Sequence, residues 1–196
     1  MKKLPLTREQ AIELLKKYNQ ESETSDWNHY LESEAIMGEV AKKLGEDENY
    51  FKMLGLLHDV DWGLTKNNTT EHLTKAPEIL KQAGFDDEFI ELIVSHGCGF
   101  ECAGLKDKSR TKKEEFALAA AETLTGLIHA YARMRENKVS DMEVSGLKKK
   151  FKDKAFAAGC NRNIIGECEK IGIPIDEFLG LGIEGLKKIK NEVGLN

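Results

Sequence analysis

The chain has 196 residues, which fits one domain, or one domain with a helical extension, and is long enough to bury a core without staples. Its net charge of −5 argues against general binding of nucleic-acid polymers, which needs a basic surface to release counterions. Four cysteines, no signal-peptide pattern and no long apolar run fit a reduced, cytoplasmic setting with no membrane span.

No alternating strand pattern persists, so an all-α architecture is expected. Thr7-Arg-Glu-Gln10 is a capping box that opens a helix with Ile12, Leu15 and Tyr18 on one face. A polar linker, residues 20 to 24, follows. Ser25 then reads as the N-cap of a long helix ending at Gly45. Its stripe of His29, Ser33, Ile36, Val40 and Leu44 turns His29 inward.

Asp47 is expected to cap the next helix, which carries Phe51, Leu54 and Leu57 inward and ends near His58-Asp59. Gly55 inside it costs about 1 kcal/mol against alanine, which a close backbone approach would explain. Asp61, Trp62 and Gly63 start a loop of the kind that carries specificity. Pro77 starts a helix near Thr74 and leaves His72 in the loop or first turn before it. Gly84 stops that helix, and Asp86 or Asp87 starts another on which Phe89, Ile93 and His96 share a stripe ending at Gly97.

Residues 97 to 110 read as a loop and candidate lid. Cys98 and Cys102 within it have no second pair at zinc-finger spacing, so neither a structural zinc nor a disulfide is expected. Thr111-Lys-Lys-Glu114 is a second capping box, opening a helix to about Glu136 with Phe116, Ala119, Ala120, Leu124, Leu127 and Ile128 facing in. Glu122 sits among alanines on this helix. His129 lies seven residues on, about 10 Å along the axis, and reads as a supporting or structural residue. Ser140-Asp-Met-Glu143 is a third capping box, before a basic run in which Lys149, Lys150 and Lys152 are either a solvated face or an anion platform for substrate phosphate. Residues 161 to 171 and 176 to 193 read as two further helices, separated by Gly172-Ile-Pro174.

Imidazoles with carboxylates suit iron, manganese, zinc or nickel, whereas purely oxygen sets favour magnesium or calcium. His29, His58, Asp59 and Glu122 supply such a set, and a metal held there can bring the pKa of water down toward about 7. Asp61, two residues past the doublet, is the candidate base.

The ordered set His29, His58-Asp59, His72, His96, Glu122 resembles the HD superfamily of metal-dependent phosphohydrolases and phosphodiesterases. The stretches 120 to 128, around Glu122, and 148 to 159 are similar to a bacterial subgroup of HD hydrolases. The resemblance covers nearly the whole chain. It implies an HD-domain-like helical bundle over residues 1–196, with a metal-site core at about 25–136 and a C-terminal helical extension at about 139–196. It further implies one or two divalent transition-metal ions, with Asp59 bridging and His72 and His96 on the second. With one ion, His72 and His96 would instead steady the phosphate or protonate the leaving oxygen. The family's last ligand is usually Asp, and this sequence offers Glu122 there.

The reading that follows is a phosphohydrolase or phosphodiesterase for a small phosphorylated metabolite or nucleotide, compatible with a homodimer. The alternatives are a di-iron oxygenase resembling myo-inositol oxygenase and a non-catalytic metal-binding regulatory module.

Overall fold

The computed structural model describes residues 3–20 and 22–196, so Glu21 of the expected linker lies outside the described residues. Helices α1 (Arg8–Tyr18), α2 (Thr24–Leu44) and α3 (Glu48–Leu57) come first. A single turn α4 (Trp62–Thr65) and the short helices α5 (Ala76–Gln82) and α6 (Asp87–Ser95) follow. The long α7 (Lys113–Met134) precedes α8 (Val144–Lys152), the single turn α9 (Arg162–Ile165) and α10 (Ile175–Ile189). Tight 3-10 turns fill 69–71 and 166–171. Among the described residues there is no strand, so the all-α expectation holds.

Local chemistry accounts for many of the boundaries. Thr7 Oγ1 accepts from the Gln10 amide at 3.3 Å, and Gln10 Oε1 accepts from the Thr7 amide at 2.8 Å, closing the expected capping box. Asp47 Oδ1 accepts from the amides of Asn49 and Tyr50 and starts α3. Gly45 ends α2 at φ 70°, in the left-handed region that glycine enters without strain.

Other caps differ from expectation. α2 begins one residue before Ser25, and its N-cap is Glu23, whose amide donates to Asp26 Oδ2. α7 is capped one residue later than Thr111: Glu115, not Glu114, accepts from the Thr111 and Lys112 amides. Ser140 caps nothing, because α8 starts only at Val144, and Lys154 falls beyond its end. Phe116 lies half-buried under Lys170, while Ala117 and Leu118 take the inner face. Residues 166 to 171 wind as 3-10, and α10 stops at Ile189.

The core sits between α2, α3, α7 and α10, where Ile36, Val40, Leu54, Leu57, Leu124, Ile128, Phe178 and Leu186 are all fully buried. Close contact between α2 and α3 depends on Gly55. A Cβ built there would lie 2.5 Å from the Ser33 carbonyl oxygen, so the backbone approach expected from the sequence is present. Gly185 brings α10 against Ala35 and Ile36 of α2, and Gly182 seats it on Leu124 and Ile128 of α7. α10 therefore packs directly on the helices that carry His29 and Glu122. Among the described residues, no helix is long and apolar enough to cross a membrane.

Candidate metal centre

The six expected ligands sit at or beyond the ends of short elements or inside long helices that face one another. His29 comes from the first half of α2 and Glu122 from the middle of α7. His58 and His96 are the residues that close α3 and α6. Asp59 follows directly in the next turn. His72 precedes Leu73, which takes φ 68° while buried, a left-handed turn that swings the imidazole toward Asp59.

The imidazoles share one orientation of their protons. The last carbonyls of a helix have no partner within it. His58 Nδ1 donates to the Gly55 carbonyl at 2.8 Å and His96 Nδ1 to the Ile93 carbonyl at 2.7 Å, the same device at two helix ends. Thr125 Oγ1 already gives its proton to the Glu122 carbonyl, so it accepts from His29 Nδ1 at 2.8 Å. His72 Nδ1 donates to Asp61 Oδ1 at 3.1 Å. With every Nδ1 used as donor, each neutral ring presents its Nε2 lone pair inward.

Those lone pairs meet. His29 Nε2 and His58 Nε2 are 2.9 Å apart, and His72 Nε2 and His96 Nε2 are 3.3 Å apart. Acceptor facing acceptor at hydrogen-bond distance is unfavourable unless positive charge stands between them. His29, His58 and Glu122 form one group able to hold a metal ion, and Asp59, His72 and His96 form a second. Asp59 spans both: Oδ1 is 3.2 and 3.3 Å from the Nε2 atoms of His72 and His96, while Oδ2 is 3.5 and 3.7 Å from those of His58 and His29. The donor set therefore fits one or two divalent ions of the nitrogen-accepting kind.

Electrostatics agree with that fit. Burial pushes the His58 pKa down to about 3, keeping the ring neutral. Burial also disfavours a charged Asp59, yet His58, His72 and His96 outweigh it and hold the carboxyl well below the usual range. For His72, burial is overcome by Asp59 and Asp61, which lift its pKa to about 10, so without a cation this ring itself carries the positive charge that a metal ion would otherwise supply. Glu122 is pushed up by burial, a penalty that a cation would remove.

Asp61 differs from its expected role. Its side chain is fully buried, Oδ1 accepts from His72, and Oδ2 accepts from the amides of Lys75 and Ala76 at 3.0 and 3.1 Å. Asp61 does not line the pocket, so it orients His72 and is not placed to take a proton from substrate or water. His129 pairs with buried Glu32 at 2.8 Å and stays out of the metal cluster. Lys149, Lys150 and Lys152 do not line the pocket above the ligands; Lys150 lies over the rings of Tyr131 and Phe156. The anion-platform reading of that helix is corrected accordingly.

The pocket holds about 670 Å³; Trp62, from the expected specificity loop, is in its walls, together with residues that the sequence did not single out for the site: Phe100, Cys160 and Asn161. Arg110 was also missed. Its guanidinium donates to the carbonyls of Ser95, His96 and Cys98 and pairs with Glu167 at 2.7 Å, tying the end of α6 to the C-terminal segment. Thr125, three residues past Glu122, and Trp62, three past Asp59, had a local signal.

A helical bundle that converges four imidazoles and two carboxylates on one pocket defines a class: all-α proteins that hold divalent metal between histidines and acids. Residues 26–140, more than half of the chain, match the HD domain, and the chain belongs to that family. Membership points to metal-dependent phosphohydrolase chemistry. The chain is also 27% identical over 172 residues to Ribonuclease Y of Thermotoga petrophila and of Thermotoga maritima. That match takes in 85% of this chain but only 32% of each relative, so the chain spans about a third of their length. No solved structure matches it at a significant level.

Proposed function

We infer that this protein is a metal-dependent phosphoric ester hydrolase for a small phosphorylated metabolite or nucleotide, working in the cytoplasm as a single HD-like unit. The observation that carries this reading is the division of six ligands into two groups joined by Asp59. His29, His58 and Glu122 would hold one ion and His72 and His96 the other, with Asp59 shared; iron, manganese, nickel or zinc suits the donors. Such an ion supplies Lewis acidity and lowers the pKa of water.

The chain's own residues perform the rest. Gly55, Ile93, Thr125 and Asp61 fix the ring tautomers, so no imidazole has to reorient during turnover. Trp62 and Phe100 wall the pocket and limit bulk water. In the reaction water attacks phosphorus, the ester P–O bond breaks, and the proton released by water goes to the leaving oxygen.

The resemblance to Ribonuclease Y brings an RNA phosphodiester into consideration. The net charge of −5 and a pocket without lysine or arginine among the described residues favour the smaller substrate. A screen of phosphomonoesters, cyclic and linear diesters and short RNA, run with chelated and metal-replenished protein, tests the proposal. Turnover restored by metal on a small ester is expected. Iron-dependent oxygen consumption with an organic substrate would install the oxygenase reading instead, and tight ligand binding without turnover the regulatory one.

A further inference from the structure

The pocket above the ligands has an unusual charge balance for one that receives phosphate. Among the described residues its lining contains no lysine and no arginine, while the carboxylates of Asp59, Glu122 and Glu101 all belong to it. Phosphate held there is neutralised by the bound cations alone. Two divalent ions offset Asp59, Glu122 and the buried Asp61 behind His72 and leave about one positive charge, enough to receive a single phosphate monoester of roughly two negative charges but no longer tail. A di- or triphosphate brings excess negative charge that no cationic side chain of the lining answers, since Lys106 at the mouth is already paired with Glu101. Glu101 stands at the exposed mouth, where such a tail would run, and is paired with Lys106.

The apolar part of the same lining is aromatic. Trp62 is half-buried, with its ring centroid 5.2 Å from that of His72 and the two rings at 85°. Phe100 is 45% exposed on the loop between α6 and α7. Neither side chain belongs to the hydrophobic core or to the residues packed against it, whereas the other tryptophan, Trp27, packs against that core. Aromatic surface with no core role beside a phosphate site is what a flat heterocycle recognises by stacking, a mode tolerant of base identity.

The geometry points to a nucleoside monophosphate as the substrate class, its base stacked on Trp62 under Phe100 and its single phosphate at the metal centre, with sugar phosphates and nucleoside polyphosphates both disfavoured. This rests on the hydrolase reading above and narrows it. The overall change is a nucleoside monophosphate plus water giving a nucleoside and inorganic phosphate.

Trp62 fluorescence in a Trp27→Phe background, with zinc-loaded protein, tests the inference by equilibrium binding. The titrants are the slowly hydrolysed phosphorothioate of adenosine monophosphate, that of adenosine triphosphate, and ribose 5-phosphate followed by competition. The monophosphate analogue should quench Trp62 and bind at least tenfold tighter than either of the others. Trp62→Leu, followed by calorimetry, should bring it within about twofold of ribose 5-phosphate, and Phe100→Ala should do so in part without touching a metal ligand. Glu101→Gln should narrow the gap between mono- and triphosphate.

Equal affinity for ribose 5-phosphate and the nucleotide, or tighter binding of the triphosphate, overturns the inference. If zinc-loaded protein hydrolyses p-nitrophenyl phosphate while showing no base preference, the substrate class falls and the hydrolase reading stands. Failure to retain zinc removes both.

Discussion

Asp61 holds His72 from behind: Oδ1 accepts from His72 Nδ1 at 3.1 Å while Oδ2 is taken by two backbone amides. A buried carboxylate bonded on both sides fixes the ring of a candidate ligand and raises its basicity. Asp61→Asn keeps the shape but turns one acceptor into a donor. We expect affinity at the second ligand group to fall about 10- to 100-fold and stability to drop by about 1–3 kcal/mol. Metal competition titration and urea unfolding measure the two; unchanged affinity would reduce Asp61 to a packing residue.

Glu122 and His129 share α7 but have different partners. Glu122 Oε2 lies 4.0 Å from His29 Nε2, whereas His129 reaches Glu32. Glu122→Gln should weaken metal binding at least tenfold, about 1.4 kcal/mol. Glu122→Asp should keep part of the affinity, and His129→Ala should keep the metal. The reverse ranking in a metal titration would place the centre on the wrong turn of α7.

The His129–Glu32 pair gives stability a pH dependence of known sign. Glu32 raises the His129 pKa by accepting its hydrogen bond, against an opposing effect of burial. A folded-state value above the unfolded one, near 6.5, means the contribution is complete below about pH 6.5 and is lost as pH rises through the folded value. His129→Ala should therefore cost about 1–3 kcal/mol near pH 6, and the difference from wild type should shrink on going alkaline. Denaturant unfolding across that range with metal in excess is the check, and a gap that widens with pH would refute the assignment.

Gly55 couples packing to the site. Its neighbour is the rigid Ser33 carbonyl, 2.5 Å from a built Cβ, so Gly55→Ala must push α3 away from α2. Those helices carry His58 and His29, whose Nε2 atoms are 2.9 Å apart. We expect a loss of about 1–3 kcal/mol in stability from overpacking, together with weaker binding at the first ligand group. Thermal unfolding and metal titration would show both; a variant as stable as wild type would mean the close approach is relaxed at no cost.

Features that depend on neighbours along the chain were legible in the sequence. Asp47, Gly45, Gly55 and the inward stripe through His29 follow from local capping and periodicity. The His-Asp doublet with its spaced histidines was legible as a set through resemblance, and the two ligand groups coincide with it. Helix starts were less legible: the N-cap positions are Glu23, Lys112 and Glu143, residue types with weak capping preference, rather than Ser25, Thr111 and Ser140. Residues placed by long-range contacts had no local signal. Asp61 looked like a base, but three donors occupy its oxygens, and Asn161 joins the pocket only because the C-terminal segment folds back over α7. The lysines of α8 misled for the same reason, since a charge run does not reveal which way its face turns.

Elemental analysis of purified wild-type protein beside Asp59→Ala tests the metal centre most directly. Asp59 offers one carboxylate oxygen to each ligand group, so its removal should empty them while circular dichroism stays helical. The account expects up to two transition-metal ions per wild-type chain and essentially none in the variant. Wild-type metal content in Asp59→Ala would contradict it.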